Sequence, residues 1–597
     1  MMWKTINEIT NHKKRPSSDI KRLKNDNGVE SHSPSEIANC LNNYFNSIGH
    51  DMANKIPQHL TASSDPVDLI RVSPTQSMYL FNTSVEEVLK LISLLKLSKA
   101  PGMDGISNYI IKITADIIAP ILTTLFNDCQ KKGIFPDPLK IAKIVPIHKG
   151  GPKDNPTNYR PISLLPQIGK IFEKILEKRI VKFCNKYNII TSHQFGFRKG
   201  FSTELAVLKI KSILLKNLDQ KKHTCTIFLD LAKAFDSVDH NILLKKLEKY
   251  GIRGTPLKLI RSYLSGRQHL VRVGNSESEL RILDIGVPQG SVLGPLLFLL
   301  FINDLPNCSK FKVLLFADDT CLSLESNNFK QLQKEANKEL KKINRWLTIN
   351  KLTLNISKSK FMIVKRHTKD NIENVQLKIN GKKLERCSSY KYLGIYIDEK
   401  LEWKTHVKYV CEKVGRASGM LARLRYCVNR DLLKEVYYAL VSSHLSYCNI
   451  VWGKASKGVL KPLVQLHEKI IRIMSFCPYG THETAHIFAD MNILNINQIN
   501  TLEKAKFIYK HQNNKLPSSF DDYFHNVNEI NNRISRNSAT GNINIYPTVG
   551  RTCYGHKLLQ NEGASIWNSI PNVIRNCETV KTFAKNMKKH LIRQIYA

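Results

Sequence analysis

Two adjacent acidic residues, Asp318 and Asp319, stand between two short apolar runs, residues 313–316 and 321–324. The runs have the length and the large or β-branched side chains of strands, which places the acidic pair at the turn of a predicted β-hairpin. Adjacent carboxylates repel each other, and neither gains anything by leaving water alone. Because hard oxygen ligands bind Mg²⁺ well, a divalent cation at this turn would resolve both problems.

A third carboxylate, Asp230, ends another apolar strand, residues 224–230. If this strand lies beside the hairpin, Asp230 faces Asp318 and two metal ions fit between them. Two ions about 3.5–4 Å apart are the recurring arrangement for in-line attack at phosphorus. An Asp-Asp turn by itself is usually a solvated surface turn, so the interpretation depends on the strand, the acidic pair and the motifs around them.

A basic segment upstream of these carboxylates combines a predicted strand, residues 140–148, with a glycine-containing turn. A plain hairpin would have a similar turn, but a hairpin this rich in cations suits a triphosphate lying over the carboxylate strands. The basic residues of the segment are Lys143, His148, Lys149, Lys153 and Arg160.

Two other segments have the composition of ligand-binding surfaces. Residues 194–203 interleave aromatic residues with cations such as Arg198, which is typical of base stacking combined with phosphate contacts. The edge of an aromatic core explains this composition equally well. The loop of residues 286–295, with three glycines and two prolines, lets the backbone approach a flat ligand, and Gln289 could contact a base or sugar. Taken alone, the loop is a turn before a helix.

The overall charge indicates a polyanionic partner. Ninety Lys and Arg residues against fifty Asp and Glu residues give a formal net charge of +40. A genome that favours Lys codons explains part of the lysine content but not the imbalance.

Thirteen cysteines without a Cys-x-x-Cys pair predict reduced thiols. Because the most apolar run, residues 295–302, is far shorter than the ~20 residues of a membrane span, we expect a soluble protein of the nucleus or cytoplasm without membrane contact.

The elements that position these residues follow from hydrophobic periodicity. The pattern predicts a strand at residues 361–364, a strand pair at 390–398, and helices at 35–48, 84–97, 168–185, 329–347 and through much of 403–475. Residues 61–75, rich in Pro, Ser and Thr, predict a linker. Residues 400–430 carry eight Lys or Arg residues, which favours a basic helix facing a nucleic-acid backbone, with a charged solvent face as the alternative. No function is predicted for the last part of the chain.

Seven motifs in a fixed order connect these segments to a known family. They are residues 100–105 (APGMDG), 158–163 (NYRPIS), 194–198 (QFGFR), 228–236 (FLDLAKAFD), 286–291 (GVPQGS), 316–319 (FADD) and 392–394 (YLG). The chain therefore resembles the reverse transcriptases of non-LTR retrotransposons, of the jockey-like kind. The resemblance implies an RNA-directed DNA polymerase that adds dNTPs to a DNA primer on an RNA template with two Mg²⁺ ions, Mn²⁺ being a possible substitute.

The resemblance also implies a right-hand polymerase of the α+β class. Its domains are expected to be a polar segment and linker at residues 1–75, fingers and palm at 76–400, a helical thumb at 401–480 and a C-terminal region of unknown role at 481–597. Such elements usually carry an endonuclease ahead of the polymerase, and the first 70 residues do not resemble one. We therefore expect a fragment of a longer reading frame, with nickase activity supplied by a missing domain or another protein.

Individual residues take roles by the same resemblance. Asp230, Asp318 and Asp319 would bind metal and act in catalysis, with the backbone oxygen of Leu231 as a further ligand. Lys149 and Arg160 would contact the triphosphate, Phe235 would be a steric gate against ribose, Gln289 and Gly290 would line the nascent base pair, and Lys358 would protonate pyrophosphate, with Lys360 an equal candidate. The primer or template contacts would be Arg198, Tyr392, Leu393 and Gly394.

Two alternatives remain open at this point. One is a decayed element copy that binds RNA without polymerising, which the presence of all three carboxylates disfavours. The other is a maturase of the group II intron type, which shares the palm. The amino-acid sequences of the motifs, which are of the jockey-like kind, disfavour it.

Overall fold

The computed structural model describes residues 20–24, 28, 30–54, 65–365, 375–477, 484–526, 544–546 and 550–594. These residues form a mixed α+β structure, which agrees with the predicted fold class at that level. The strands, in chain order, are β1 Leu23–Lys24, β2 Glu30–Ser31, β3 Ile141–His148, β4 Tyr159–Leu164, β5 His223–Asp230, β6 Arg267–Val273, β7 Ser276–Glu277, β8 Arg281–Leu283, β9 Lys312–Phe316, β10 Asp319–Ser326, β11 Lys360–Val364, β12 Lys378–Ile379, β13 Lys382–Lys383, β14 Glu385–Arg386, β15 Ser389–Tyr392 and β16 Ile395–Asp398.

Helices surround these strands along the whole chain. In order they are α1 Pro34–Asn54, α2 Val85–Ser93, α3 Asn108–Ile113, α4 Ala115–Lys132, α5 Gln167–Lys186, α6 Thr203–Asp219, α7 His240–Lys249, α8 Thr255–Leu264, α9 Leu293–Phe301, α10 Phe329–Ile349, α11 Lys404–Leu424, α12 Arg430–Tyr437, α13 Ser443–Ser446, α14 Asn449–Trp452, α15 Lys457–Ser475, α16 Thr484–Asp490, α17 Ile496–Gln512, α18 Cys553–His556, α19 Leu559–Ser569, α20 Asn572–Arg575 and α21 Val580–Arg593.

The central sheet has the strand order β14-β11-β5-β10-β9, with antiparallel pairs except between β11 and β14. Its side chains alternate between two hydrophobic cores, as the period of two in a strand requires. In β5, Ile227 and Leu229 enter one core, whereas Phe228 enters the other. The sheet is covered on both faces, which explains why its strands are near-continuous apolar runs in the sequence.

A second sheet, in the order β4-β3-β6-β7 with β8 beside β6, carries the basic hairpin between β3 and β4. Helix α1 packs against this sheet and buries Ile37, Leu41 and Phe45 in a core that includes Tyr159 and Val271. The helix predicted at residues 35–48 is therefore present and longer. It packs on the sheet because its apolar stripe has to leave water.

Two other boundaries differ from the sequence expectations. Helix α2 ends at Ser93 rather than Leu97, because Leu94 is its C-cap and the turn before Pro101 begins there. The described part of the predicted linker, residues 65–75, packs on the protein: Ile70 is buried, and Arg253 donates hydrogen bonds to the carbonyl oxygens of residues 74 and 75. Backbone carbonyls held in this way are ordered despite a linker-like composition.

The helical part of the chain shares its core with the last described residues. Helix α11 packs against α15, and α17, α19 and α21 extend the same hydrophobic core. The Asp219 carboxylate at the end of α6 accepts hydrogen bonds from the backbone N–H and hydroxyl of Thr552, both at 2.8 Å. All thirteen cysteines are free thiols, as expected. None of the helices in the described ranges has the length and apolar character needed to cross a membrane.

Candidate active site

The three acidic residues lie at one end of the central sheet. Strand β5 ends at Asp230, and β9 and β10 form the predicted hairpin, with Ala317 and Asp318 in its turn. The antiparallel register pairs Asp230 with Asp319, the first residue of β10. Asp318 nevertheless lines the same cavity as Asp230. The tertiary structure therefore brings all three carboxylates to one place.

Packing and mutual repulsion raise the pKa values of these carboxyl groups. Burial by the surrounding protein, followed by the charges of Asp318 and Asp230, raises the pKa of Asp319 to about 6. Burial is also the largest cause that raises the pKa values of Asp230 and Asp318. Lys358 and Lys149 act in the opposite direction on Asp230. Carboxylates that destabilise one another in this way favour the binding of a cation.

The donor set fits a divalent ion only in part. Within the described ranges, no group of three or more His, Cys, Asp and Glu side chains is arranged to hold a metal ion by itself. Asp carboxylates are nevertheless the hard oxygen donors that Mg²⁺ and Mn²⁺ take, and Mg²⁺ usually combines one or two of them with water and substrate phosphates. Leu231, the predicted backbone ligand, lines the same cavity as Asp230. An ion here would need further ligands from the backbone, water or a bound substrate.

A cavity of about 620 Å³ is lined by two of these carboxylates, Asp230 and Asp318, and we refer to it as the carboxylate cavity. It brings together eight of the residues predicted from the sequence: Lys149, Arg160, Asp230, Leu231, Phe235, Gln289, Asp318 and Lys358. Lys233, Asp236 and Asn355 also line it, although the sequence analysis assigned them no role. Lys233 and Asp236 lie within the motif of residues 228–236, whereas Asn355 had no local signal because α10 separates it from β10.

One part of the cavity lining is cationic. Burial, followed by the charges of Lys358 and Arg160, lowers the pKa of Lys149. Burial also lowers the pKa of Lys233 to about 8, where Asp236 opposes the shift and Lys149 adds to it. Cations that depress one another's pKa values gain from a polyanion placed between them. The cavity is therefore suited to a ligand with several phosphates.

The structure distinguishes the two lysines that the sequence left equal. Lys358 lines the carboxylate cavity and lies close enough to Asp230 to lower the pKa of its carboxyl group. Lys360 is the first residue of β11, and its ammonium pairs with Glu385 at 2.8 Å at the edge of the sheet. The geometry thus favours Lys358 as the lysine that faces a bound ligand.

Phe235 and Gln289 are held firmly at the cavity wall. The Phe235 ring is half-buried and stacks on Phe298, with centroids 4.7 Å apart. The amide Nε2 of Gln289 donates to both carboxylate oxygens of Asp236, at 2.8 and 2.9 Å. Gly290 has φ 125°, and a Cβ there would lie 2.6 Å from the carbonyl oxygen of Ser163. Only glycine therefore lets this loop pass so close to β4.

The motif at residues 194–198 supports the acidic turn instead of lining the cavity. The Gln194 side-chain oxygen accepts from the backbone N–H of Gly196 at 2.8 Å and of Ala317 at 3.1 Å. The Arg198 guanidinium donates to the carbonyl oxygens of Thr191 and Gln194 and stacks on a neighbouring phenylalanine ring. These internal contacts use much of the donor capacity that the sequence analysis assigned to primer or template.

The predicted primer contacts lie in the turn between β15 and β16. The Tyr392 side chain is buried in the core, 5.5 Å from the Phe228 ring, so its hydroxyl does not reach a ligand at the surface. Leu393 and Gly394 have positive φ values of 46° and 83°. The hydroxyl of Tyr447 donates to the carbonyl oxygen of Leu393 at 2.7 Å and supports this turn from the helical region. The sequence analysis did not identify Tyr447.

Comparison with known proteins points in one direction. Residues 147–397 match the family described as reverse transcriptase (RNA-dependent DNA polymerase). The chain is 30% identical over 480 residues to a probable RNA-directed DNA polymerase from transposon BS of Drosophila melanogaster, an alignment that covers 77% of the chain and 51% of that protein. It is 31% identical over 423 residues to the RNA-directed DNA polymerase from mobile element jockey of the same organism, which covers 68% and 45%. The chain spans about half the length of these relatives.

Proposed function

Because this chain belongs to the reverse transcriptases of non-LTR retrotransposons, we propose that it is an RNA-directed DNA polymerase acting on a primer, an RNA template and dNTPs. The observation that carries the proposal is the carboxylate cavity, where Asp230 and Asp318 face a wall of Lys149, Arg160 and Lys358. An incoming dNTP combines a triphosphate, which needs cations, with a reaction at phosphorus, which needs metal ligands. The cavity offers both in one place.

Asp230, Asp318 and Asp319, with the backbone oxygen of Leu231, would hold two divalent ions. When bound, such ions lower the pKa of an attacking hydroxyl and neutralise charge on the transferred phosphate. The carboxylates themselves supply the negative charge that localises these ions at the end of β5 and β10. Their mutual repulsion is relieved only when the site is loaded, so the protein's contribution is a prearranged, unsatisfied set of donors.

The cationic wall would bind and orient the triphosphate. Arg160 can engage phosphate oxygens through two parallel N–H groups, whereas Lys149 and Lys358 act as point charges. Lys358 also carries the proton that the leaving pyrophosphate needs, and its place in the cavity makes it a better donor than Lys360. Lys233 adds a fourth positive charge to the same wall.

Selection of the sugar and base would fall to the other wall. The Phe235 ring, fixed by its stack on Phe298, would leave no room for a ribose 2′-hydroxyl. Gln289 and Gly290 would line the nascent base pair, with the Gln289 amide held by Asp236. In the turn between β15 and β16, the backbone of residues 393 and 394 is best placed to hold a primer, because the Tyr392 side chain is buried.

In this proposal residues 76–400, with the two sheets and their helices, serve as fingers and palm. The helices from α11 to about residue 480 serve as the thumb, and the role of the remaining residues is left open. The primer end would come from a nick made by another domain of a longer protein or by a partner.

The decisive experiment is primer extension on poly(rA)/oligo(dT) with Mg²⁺, comparing the wild-type chain with Asp318→Ala. The matched control is Asp116→Ala, which removes an exposed carboxylate at the start of α4. We expect extension by the wild type and the control, and loss of extension in Asp318→Ala with retained hybrid binding. Equal extension by Asp318→Ala contradicts the site assignment. Salt-sensitive hybrid binding without extension by any variant would instead identify a nucleic-acid-binding protein that no longer polymerises.

A further inference from the structure

A second basic cavity lies in the helical part of the chain and shares no lining residue with the carboxylate cavity. It has a volume of about 270 Å³ and lies between α6, the start of α11, the end of α14 and the residues before α19. We call it the Lys211 cavity. Its charged lining consists of Lys211, Lys404, Lys454, Lys557, Glu402 and Glu562.

Lys211 is a half-buried residue of α6 that lines this cavity. Its ammonium donates one hydrogen bond, to the carbonyl oxygen of Val451 at 2.7 Å. A lysine ammonium has three N–H groups, so two remain for another acceptor. Burial, followed by the positive charge of Lys504, lowers the pKa of Lys211 to about 7, and Glu562 offsets this only in part. A half-buried cation beside other cations is stabilised when an anion joins it.

The acidic residues of the cavity are already engaged with other cations. Glu562 pairs with Lys454 at 2.7 Å and with Lys504 at 2.5 Å, and Glu402 pairs with Lys404 at 2.8 Å. Across the part of the chain that the structure describes, neither Lys211 nor the exposed Lys557 has an ion-pair partner within 4 Å. Two lysines of the cavity lining, the half-buried Lys211 and the exposed Lys557, are therefore available to an anionic ligand.

We propose that the Lys211 cavity binds a phosphate group, held between the Lys211 and Lys557 ammonium groups. A phosphate accepts several hydrogen bonds at once, and lysine binds it as a point charge. Lys454 and Lys404 at the rim add to the favourable potential without direct contact. The phosphate is either a phosphodiester of bound nucleic acid or free inorganic phosphate. The proposal does not depend on polymerase activity, because none of these residues contacts the carboxylates.

The test uses two single variants, their combination and a control. Lys211→Met keeps the length and apolar stem of the side chain while removing the buried charge. Lys557→Gln changes only the exposed mouth, so it remains informative if Lys211→Met folds poorly. Lys585→Gln removes one exposed lysine from α21, outside the cavity, and serves as the matched control.

The first measurement is the affinity for a short RNA–DNA hybrid over a range of KCl concentrations. The slope of log affinity against log salt counts phosphates, not lysines, so one lost phosphate should reduce it by about 0.7–0.9 and weaken binding about five- to eightfold near 0.1 M salt. We expect this reduction of the slope in Lys211→Met and in Lys557→Gln. The double variant should show a reduction of the same size, because both lysines contact the same phosphate. Lys585→Gln should match the wild type.

The second measurement is isothermal titration with inorganic phosphate. If phosphate binds the wild type and not Lys211→Met while all hybrid slopes agree, the site takes free phosphate. The proposal is overturned if the variants match the wild type in both measurements. It is also overturned if the slope reductions of Lys211→Met and Lys557→Gln add up, since additive losses indicate a diffuse basic surface without a single bound phosphate.

Discussion

Gln194→Leu should impair catalysis without touching any ligand. The Gln194 side-chain oxygen is the acceptor for two backbone N–H groups, those of Gly196 and Ala317, and Ala317 immediately precedes Asp318. Gln194 itself is only 1% exposed, so water does not replace the lost acceptor. Leucine has nearly the same volume, which limits the effect to the hydrogen bonds.

The size of the effect follows from these contacts. A buried donor that loses its acceptor costs about 1–3 kcal/mol, so two such groups should lower the free energy of unfolding by roughly 2–6 kcal/mol. Ala317 has φ 54°, a conformation that side-chain-bearing residues adopt only when their surroundings hold them there. Without the acceptor the turn should relax, and a displacement of about 1 Å of Asp318 would reduce turnover by roughly 100-fold.

The assay is primer extension with saturating dNTP, together with urea unfolding of the same preparations. Gln130→Leu is the control, because Gln130 is equally buried but its amide donates to Thr83 and Phe126, far along the chain from the carboxylates. Both variants should lose stability, and only Gln194→Leu should lose kcat. If Gln194→Leu keeps the wild-type kcat while losing stability as Gln130→Leu does, the turn does not depend on this side chain and the reasoning fails.

Three other predictions concern single side chains. Phe235→Ala should raise incorporation of ribonucleotides relative to deoxyribonucleotides at least tenfold, because the ring stacked on Phe298 is removed from the cavity wall. Competition between rNTP and dNTP measures this ratio. An unchanged ratio would falsify the role of Phe235 as a steric gate. Lys358→Gln should lower kcat for primer extension, because Lys358 lines the carboxylate cavity. Lys360→Gln breaks only the pair with Glu385 at the sheet edge, so its kcat should stay within about twofold of the wild type. A larger loss of kcat in Lys360→Gln than in Lys358→Gln contradicts the assignment of Lys358 as the proton donor. Burial lowers the pKa of His467 to about 3 from 6.5, so its contribution to the free energy of unfolding is lost as pH falls from 6.5 toward 3, by roughly 3 kcal/mol at pH 4. His467→Gln should therefore flatten the decline in the free energy of unfolding over this range. An equally steep decline in the variant would show that other groups cause it.

Much of the local structure could be predicted from the sequence because local rules decide it. The long helices follow from the helical spacing of their apolar residues, whereas the strands β5, β9 and β10 follow from the short length and the large or β-branched residues of their apolar runs. Helix ends were less certain: α2 stops four residues early because a following turn competes with it. The motif order identified the family, since the chemistry at phosphorus requires particular residue types at the ends of particular strands.

The cavity wall shows where local rules stop. Lys358 and Lys360 are two residues apart and were equal in the sequence, yet only one faces the cavity, because β11 begins at Lys360 and directs it toward Glu385. Arg198 belongs to a segment with the composition of a nucleic-acid surface, but in the fold its Nη1 donates to two backbone carbonyl groups. Composition identifies what a side chain can bind, whereas neighbours from distant segments determine what it does bind.

The residue types and their order therefore identify the chemistry to expect: three carboxylates at or next to strand ends, a cationic segment for a polyanion and a large positive charge. Their arrangement comes from the packing of distant segments. This packing pairs Asp230 with Asp319, holds α1 on the second sheet and places Asn355 and Lys233 in the cavity. It also brings Lys211 together with other lysines. These features depend on contacts between residues far apart in the chain, and such contacts are chosen by the free energy of the whole packed structure, which no local pattern encodes.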